Sequence, residues 1–178
     1  MIVAAPSDEL ELRNLMYTAL KAGTPFAIRY PRGAGRGVEW RNADFKELPI
    51  GKGRVLCEGE DVAILAIGKT CAFALEAAQR AEAEGISVAV YDLRYAKPLD
   101  CEMIKSVGSR FSRIITVEDG VLRGGVGEAV TKVLTDAGSS AKITTLGIDD
   151  TFVEQGTPAE LYRLCGYDAQ GILEAIKE

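Results

Sequence analysis

The sequence contains no histidine. That excludes Ser-His-Asp and Cys-His catalysis and the H-E-x-x-H zinc motif, and it leaves acid–base work to carboxylates, lysine, cysteine or tyrosine. No apolar run is long enough to span a bilayer, and no signal peptide is evident. Cysteine is sparse: Cys57, Cys71, Cys101 and Cys165 lie far apart, with no C-x-x-C pair. Reduced thiols in an intracellular, cytoplasmic protein are the expectation, with disulfides the lesser alternative. Internal repeats and low-complexity tracts are also missing.

What is present is a chain of 178 residues, 47% hydrophobic and 26% charged. It is long enough for one domain, or one domain and a piece of another, and too apolar for disorder. The net charge of -5 argues against general nucleic-acid or acidic-membrane binding. The charge is uneven. Residues 1–45 carry Asp8, Glu9, Glu11, Glu39 and Asp44 against Arg13, Lys21, Arg29, Arg32, Arg36 and Arg41, a balance of +1 that leaves -6 for the rest.

Residues 7–21 read as a helix with Ser7 as N-cap, acids in the first turn and a stripe of Leu12, Leu15, Met16, Ala19 and Leu20. Gly23 and Pro25 stop it. The segment PFAIRY (25–30) reads as a strand, and the glycine-rich, aperiodic stretch 33–52 as a linker. From there strands and helices alternate. Strands are expected at 62–68, 87–93, 113–119 and 142–148, with 53–59 as an antiparallel edge. Helices are expected at 72–85, 99–109, after the glycine loop to Val133, near 158–165 and at 169–177. The pattern predicts an α/β fold with a mostly parallel sheet flanked by helices. The opening helix and strand have no sheet of their own before the linker and look like the tail of another domain.

Four stretches are candidates for function. In RYPRG (29–33) backbone amides and an arginine fork converge past a strand end, which suits phosphate or carboxylate; a solvated loop arginine is the alternative. Arg29 and Tyr30, being adjacent, would face opposite sides of an extended strand. In VEDGVLRGGVGEAV (117–130) a glycine loop opens a helix. Anion binding there competes with a tight turn that simply needs glycine, and the partial dinucleotide fingerprint (Gly125, Gly127, then Asp149) fails at Val130. Glu118 and Asp119 read as an acid or metal pair, or as a cap and interface pair. DLRYAKPLD (92–100) reads as a ligand or docking loop, or as a salt-bridged connector built on Asp92 and Arg94, with Asp100 near a helix start. In DDTFVEQGTPAEL (149–161), Thr157, Pro158 and Glu160 form a helix start, and Phe152 is a candidate for packing on a partner.

Taken together, APSDELELRNLMYTAL, RYPRG, LPIGKG, DLRYAKPLD, TVEDGVLRGGVGEAV and GIDDTFVEQGTPAEL resemble, in order and spacing, the C-terminal portion of the 1-deoxy-D-xylulose-5-phosphate synthase family. These are transketolase-like, thiamine diphosphate-dependent transferases. The resemblance implies that residues 1–33 are the last helix and strand of a pyrimidine-binding domain, 34–52 a linker, and 53–178 a transketolase C-terminal-like domain. It implies a dimeric parent enzyme that uses thiamine diphosphate and Mg2+ to condense pyruvate with glyceraldehyde 3-phosphate, releasing CO2, for isoprenoid and thiamine synthesis. It implies that Arg32, the second arginine of RYPRG, binds the substrate phosphate; Arg29 and Tyr30 do not carry over. Catalytic, cofactor and metal residues are expected outside this chain, which by itself should bind no cofactor and be inactive. Two other readings stay open: a stand-alone regulatory domain that binds an anion or a partner, and the C-terminal piece of another thiamine diphosphate enzyme, either a transketolase or a 2-oxoacid dehydrogenase β subunit.

Overall fold

A computed structural model describes residues 1–178. The chain opens with strand β1 (Ile2–Ala4), helix α1 (Glu9–Lys21) and strand β2 (Phe26–Ile28). It continues through β3 (Arg54–Cys57), β4 (Val62–Ala66), α2 (Thr70–Glu82), β5 (Val88–Asp92), β6 (Tyr95–Lys97) and α3 (Cys101–Arg110). Then follow β7 (Arg113–Val121), α4 (Val126–Asp136), β8 (Lys142–Ile148), α5 (Pro158–Leu164) and α6 (Ala169–Lys177).

The larger sheet has the order β3-β5-β4-β7-β8. All its pairings are parallel except β3 with β5, so the expected antiparallel edge strand is there. Every residue of β4 and β5 is buried, as parallel strands with helices on both faces require. The two-residue alternation divides the core. Val62, Ile64 and Ala66 pack with the alanines of α2 and with Ile172 and Ile176 of α6. Ala63 and Leu65 face Ile104 and Val107 of α3 and Val130 and Leu134 of α4.

The opening segment does have a sheet. β1 pairs parallel with β2 on one side and antiparallel with β6 on the other. Neither β1 nor β6 is expected from the sequence, because three residues are too few to show a two-residue period. The chain passes from the large sheet to the small one within two residues, through Arg94, whose φ of 56 is left-handed. Its N–H donates to Asp92 Oδ1 at 2.9 Å, which holds that turn. Tyr95, fully buried, then packs with Ala4, Leu15 and Leu48 and edge-on to Phe26.

Two local expectations need correction. The N-cap of α1 is Asp8, whose carboxylate accepts the Glu11 N–H at 2.8 Å; Ser7 instead donates its hydroxyl to Asp92. The strand in PFAIRY stops at Ile28, because Tyr30 and Pro31 leave the ladder. The stretch 34–52 has no regular element, yet it is tied along α1. The Gly37 N–H donates to Glu9, Arg13 donates to the Trp40 and Ala43 carbonyls, and Asn14 and Thr18 accept from the Lys46 and Leu48 N–H groups.

Candidate functional site

In the large sheet the chain runs from β4 outward to β5, then crosses back to β7 on the other side. The strand order therefore reverses between the carboxyl ends of β4 and β7, where open α/β sheets hold ligands. Gly68 turns the chain there with φ 65, and Lys69 leads into α2. The RYPRG turn lies over this point. Arg29, Tyr30 and Pro31 face Gly68, Lys69 and Asp119 around a small cleft of about 80 Å³.

A larger cleft of about 300 Å³ continues on the other side of Tyr30 and Pro31. Pro6 to Glu9, Gly33 to Arg36 and Lys69 line it. Arg32, between the lining residues Pro31 and Gly33, is exposed and takes part in no ion pair. Arg29 is occupied: its guanidinium donates to the Asp119 carbonyl and lies 3.8 Å from the Asp119 carboxylate. Tyr30 is exposed.

The glycine loop after β7 does not present an open helix start. The Glu118 carboxylate accepts the Val126 and Gly127 N–H groups at 3.0 and 2.8 Å, so the chain's own anion fills the positive end of α4. The glycines are explained by this arrangement. Gly124 has φ 70, while a Cβ on Gly125 would meet Glu118 at 2.5 Å and one on Gly127 would meet the Thr116 hydroxyl at 2.6 Å. Glu118 and Asp119 do not act as a pair, since Asp119 accepts the Tyr167 hydroxyl at 3.0 Å and faces Arg29. Burial pushes the Tyr167 phenol well above its usual range, and the Asp119 carboxylate beside it adds to the shift.

The DLRYAKPLD stretch is a connector made of ion pairs. Asp92, fully buried, accepts from Ser7 at 2.8 Å and from Arg54 at 3.2 Å. Arg94 grips Glu11 of α1 with two bonds of 2.8 and 3.0 Å, and Arg54 reaches the same carboxylate at 3.0 Å. This network joins the opening segment to the large sheet across more than eighty residues of chain. Asp100 caps α3, and Thr157 and Glu160 form the capping box of α5. Phe152 is fully exposed. Sequence reasoning missed Glu11, Arg54 and Lys69. For Lys69 a signal was present: a Gly-Lys pair between a buried strand and an alanine-rich helix.

No group of three or more Cys, Asp or Glu side chains converges as a metal site, and the glycine-rich helix start already holds Glu118. No helix is long and apolar enough to cross a membrane.

Residues 51–172 match the family described as transketolase, C-terminal domain. The whole chain is 45% identical to 1-deoxy-D-xylulose-5-phosphate synthase of Parabacteroides distasonis and 43% identical to that of Aquifex aeolicus; it spans 28% of the length of each. To the Bacteroides fragilis synthase it is 48% identical over 99% of the chain and 27% of that protein. Among solved structures, 99% of the chain overlays 56% of a chain described as a split gene transketolase, inactive beta4 tetramer, with TM-score 0.81 and 29% identity. A transketolase mutant from Pichia stipitis overlays with TM-score 0.68 at 18% identity, the chain covering 24% of it, which is likeness of fold alone.

Proposed function

The chain belongs to the transketolase C-terminal-domain family, and we propose that it serves as the C-terminal part of a 1-deoxy-D-xylulose-5-phosphate synthase. The observation that carries this reading is identity of 43–48% with proteins of that name along essentially the whole chain. The complete enzyme, in this reading, is a cytoplasmic homodimeric transferase that condenses pyruvate with glyceraldehyde 3-phosphate and releases CO2. Thiamine diphosphate supplies the carbanion chemistry when bound, and Mg2+ holds its diphosphate. Both are held by parts of the enzyme other than this chain.

Within that enzyme, residues 1–33 complete a pyrimidine-binding domain, 34–52 connect, and 53–178 form the C-terminal domain. Arg32 takes the phosphate of glyceraldehyde 3-phosphate. Its exposed position beside the crossover cleft, with no carboxylate to neutralise it, supports that role. The chain by itself is inactive. The split-gene transketolase chain solved as an inactive beta4 tetramer offers a parallel: part of such a fold, assembled alone, lacks activity.

Arg32→Ala in the complete synthase should raise KM for glyceraldehyde 3-phosphate at least tenfold, from loss of about 1.5–3 kcal/mol of charge-assisted binding. KM for pyruvate should stay within about twofold, on the same reasoning. Steady-state kinetics with each substrate varied in turn reads both values, and an unchanged glyceraldehyde 3-phosphate KM removes Arg32 from the site. If the complete protein forms no 1-deoxyxylulose 5-phosphate from these two substrates, the synthase reading itself fails.

A further inference from the structure

The turn that carries Arg32 is held at few points. Just past the end of β2 the Arg29 N–H donates to the Ala4 carbonyl at 2.8 Å, and the next bond along the chain is the one from the Gly37 N–H to Glu9. Between them, residues 30–35 belong to no regular element and make no hydrogen bond or ion pair. Gly33, at φ 134, and Gly35 add backbone freedom, so the segment has little stiffness of its own. A single polar side-chain contact ties this turn to the large sheet. The Arg29 guanidinium donates to the Asp119 carbonyl and lies 3.8 Å from the Asp119 carboxylate, across 90 residues of chain.

Asp119 is itself fixed. It lies where the β7–β8 register shifts, between Val117 and Val121. The residue before it, Glu118, is bound to the Val126 and Gly127 N–H groups. The Asp119 carboxylate accepts the hydroxyl of Tyr167, which is 2% exposed and belongs to the core beneath α2 and α6. The Tyr167 ring is braced in turn by Tyr162, with ring centroids 5.5 Å apart. A line of contacts thus runs from the core through Tyr167 and Asp119 to Arg29, three residues before Arg32.

We propose that Arg29 and Asp119 are positioning residues that hold the turn with Arg32 ready for its phosphate. This rests on the reading of Arg32 as the ligand of the substrate phosphate. Arg29 and Asp119 act through Arg32 and make no contact with substrate, since each is taken up by the other and by Tyr167. A free arginine on a glycine turn must be ordered when the anion binds; a turn anchored beforehand avoids part of that cost. With the anchor on β7, the phosphate contact depends on the large sheet as well as on the opening segment.

The test has two parts. In the complete synthase, Arg29→Met removes the donor and leaves Asp119 and Tyr167 bonded. It should raise KM for glyceraldehyde 3-phosphate about fivefold, with kcat and KM for pyruvate within about twofold. Asp119→Ala, which keeps the carbonyl acceptor, should give a smaller rise in the same constant. In an Arg32→Ala background, Arg29→Met should add less than about twofold, because the two changes remove one contact. A KM left unchanged by Arg29→Met but raised by Arg32→Ala overturns the proposal and upholds Arg32. An equal rise in both backgrounds overturns it as well, by making Arg29 act independently of Arg32, and so does a fall in kcat with both KM values raised alike, which is general damage. If Arg32→Ala leaves the constant unchanged, the reading of Arg32 fails and the proposal falls with it. The second part reads the tether without turnover. In this chain the heteronuclear NOE at the Arg32, Gly33, Ala34 and Gly35 amides should be that of an ordered backbone and should drop in Arg29→Met. A turn already mobile in the unaltered chain, or one that Arg29→Met leaves ordered, overturns the proposal whatever the kinetics show.

Discussion

Asp119 shows how much one side chain decides at the sheet crossover. Its carbonyl and carboxylate hold Arg29, and its carboxylate also accepts the Tyr167 hydroxyl at 3.0 Å. Arg29 is thereby withdrawn from ligand duty, and Arg32 is left as the free arginine of the turn. The phenol of Tyr167 is pushed up by burial and by the neighbouring carboxylate, so the folded chain favours its neutral form. The folded pKa lies above the unfolded value of about 10, so this contribution is complete below pH 10 and is lost as pH rises beyond it. Tyr167→Phe should therefore lower stability by about 1 kcal/mol at neutral pH, through loss of one hydrogen bond. It should also flatten the fall in stability above pH 10. Urea unfolding at pH 7, 9 and 10.5 checks both, and an equally steep alkaline fall in the variant would assign it to other buried phenols such as Tyr91 and Tyr95, which burial also pushes up.

At the scale of elements, α1 does more than pack. One edge of it carries Glu9, Arg13, Asn14 and Thr18, and each bonds the backbone of 37–48 in order. The stretch that reads as a linker from its composition is a strap bound to that helix. Glycine content and lack of period are visible in a sequence; side-chain bonds to a distant backbone are not, because any polar residue on a helix surface looks solvated. Thr18 makes the point testable. It is buried and accepts the Leu48 N–H at 2.8 Å. Thr18→Val keeps the shape and leaves that N–H unpaired, at about 1–2 kcal/mol. Trypsin cleavage after Lys46 follows the population of the opened strap, so it should speed up about tenfold. Mass spectrometry of timed digests reads the rate, and an unchanged rate would mean the strap is held by its other bonds.

For the whole molecule, the parallel sheet was legible and its attachment was not. VAILA and VAVYD announce buried strands because every residue is apolar or a buried strand end, and the helices between them require crossovers. β1 and β6 escaped because each has three residues; Asp92 and Arg94 were legible as a salt-bridged connector, but their partners Glu11 and Arg54 escaped because the pairing spans up to 83 positions. Yet these features join the opening segment to the large sheet. Glu11 is the hub, with a side chain 5% exposed and bonded to both arginines. Glu11→Gln keeps the volume and removes the charge, leaving Arg94, 12% exposed, without its ion-pair partner. A cost of about 2–3 kcal/mol is expected, and Glu11→Gln with Arg94→Met should cost less than the sum of the two single changes. The chain offers its own probe of what the network joins: the one tryptophan, Trp40, lies in the strap against α1, whereas far-UV circular dichroism is dominated by the helices of the large sheet. In the unaltered chain the two urea transitions should coincide. In Glu11→Gln the Trp40 transition should move to lower urea ahead of the circular dichroism. Coincident transitions in the variant would mean that β6 and the Tyr95 core hold the two parts together without the ion pairs.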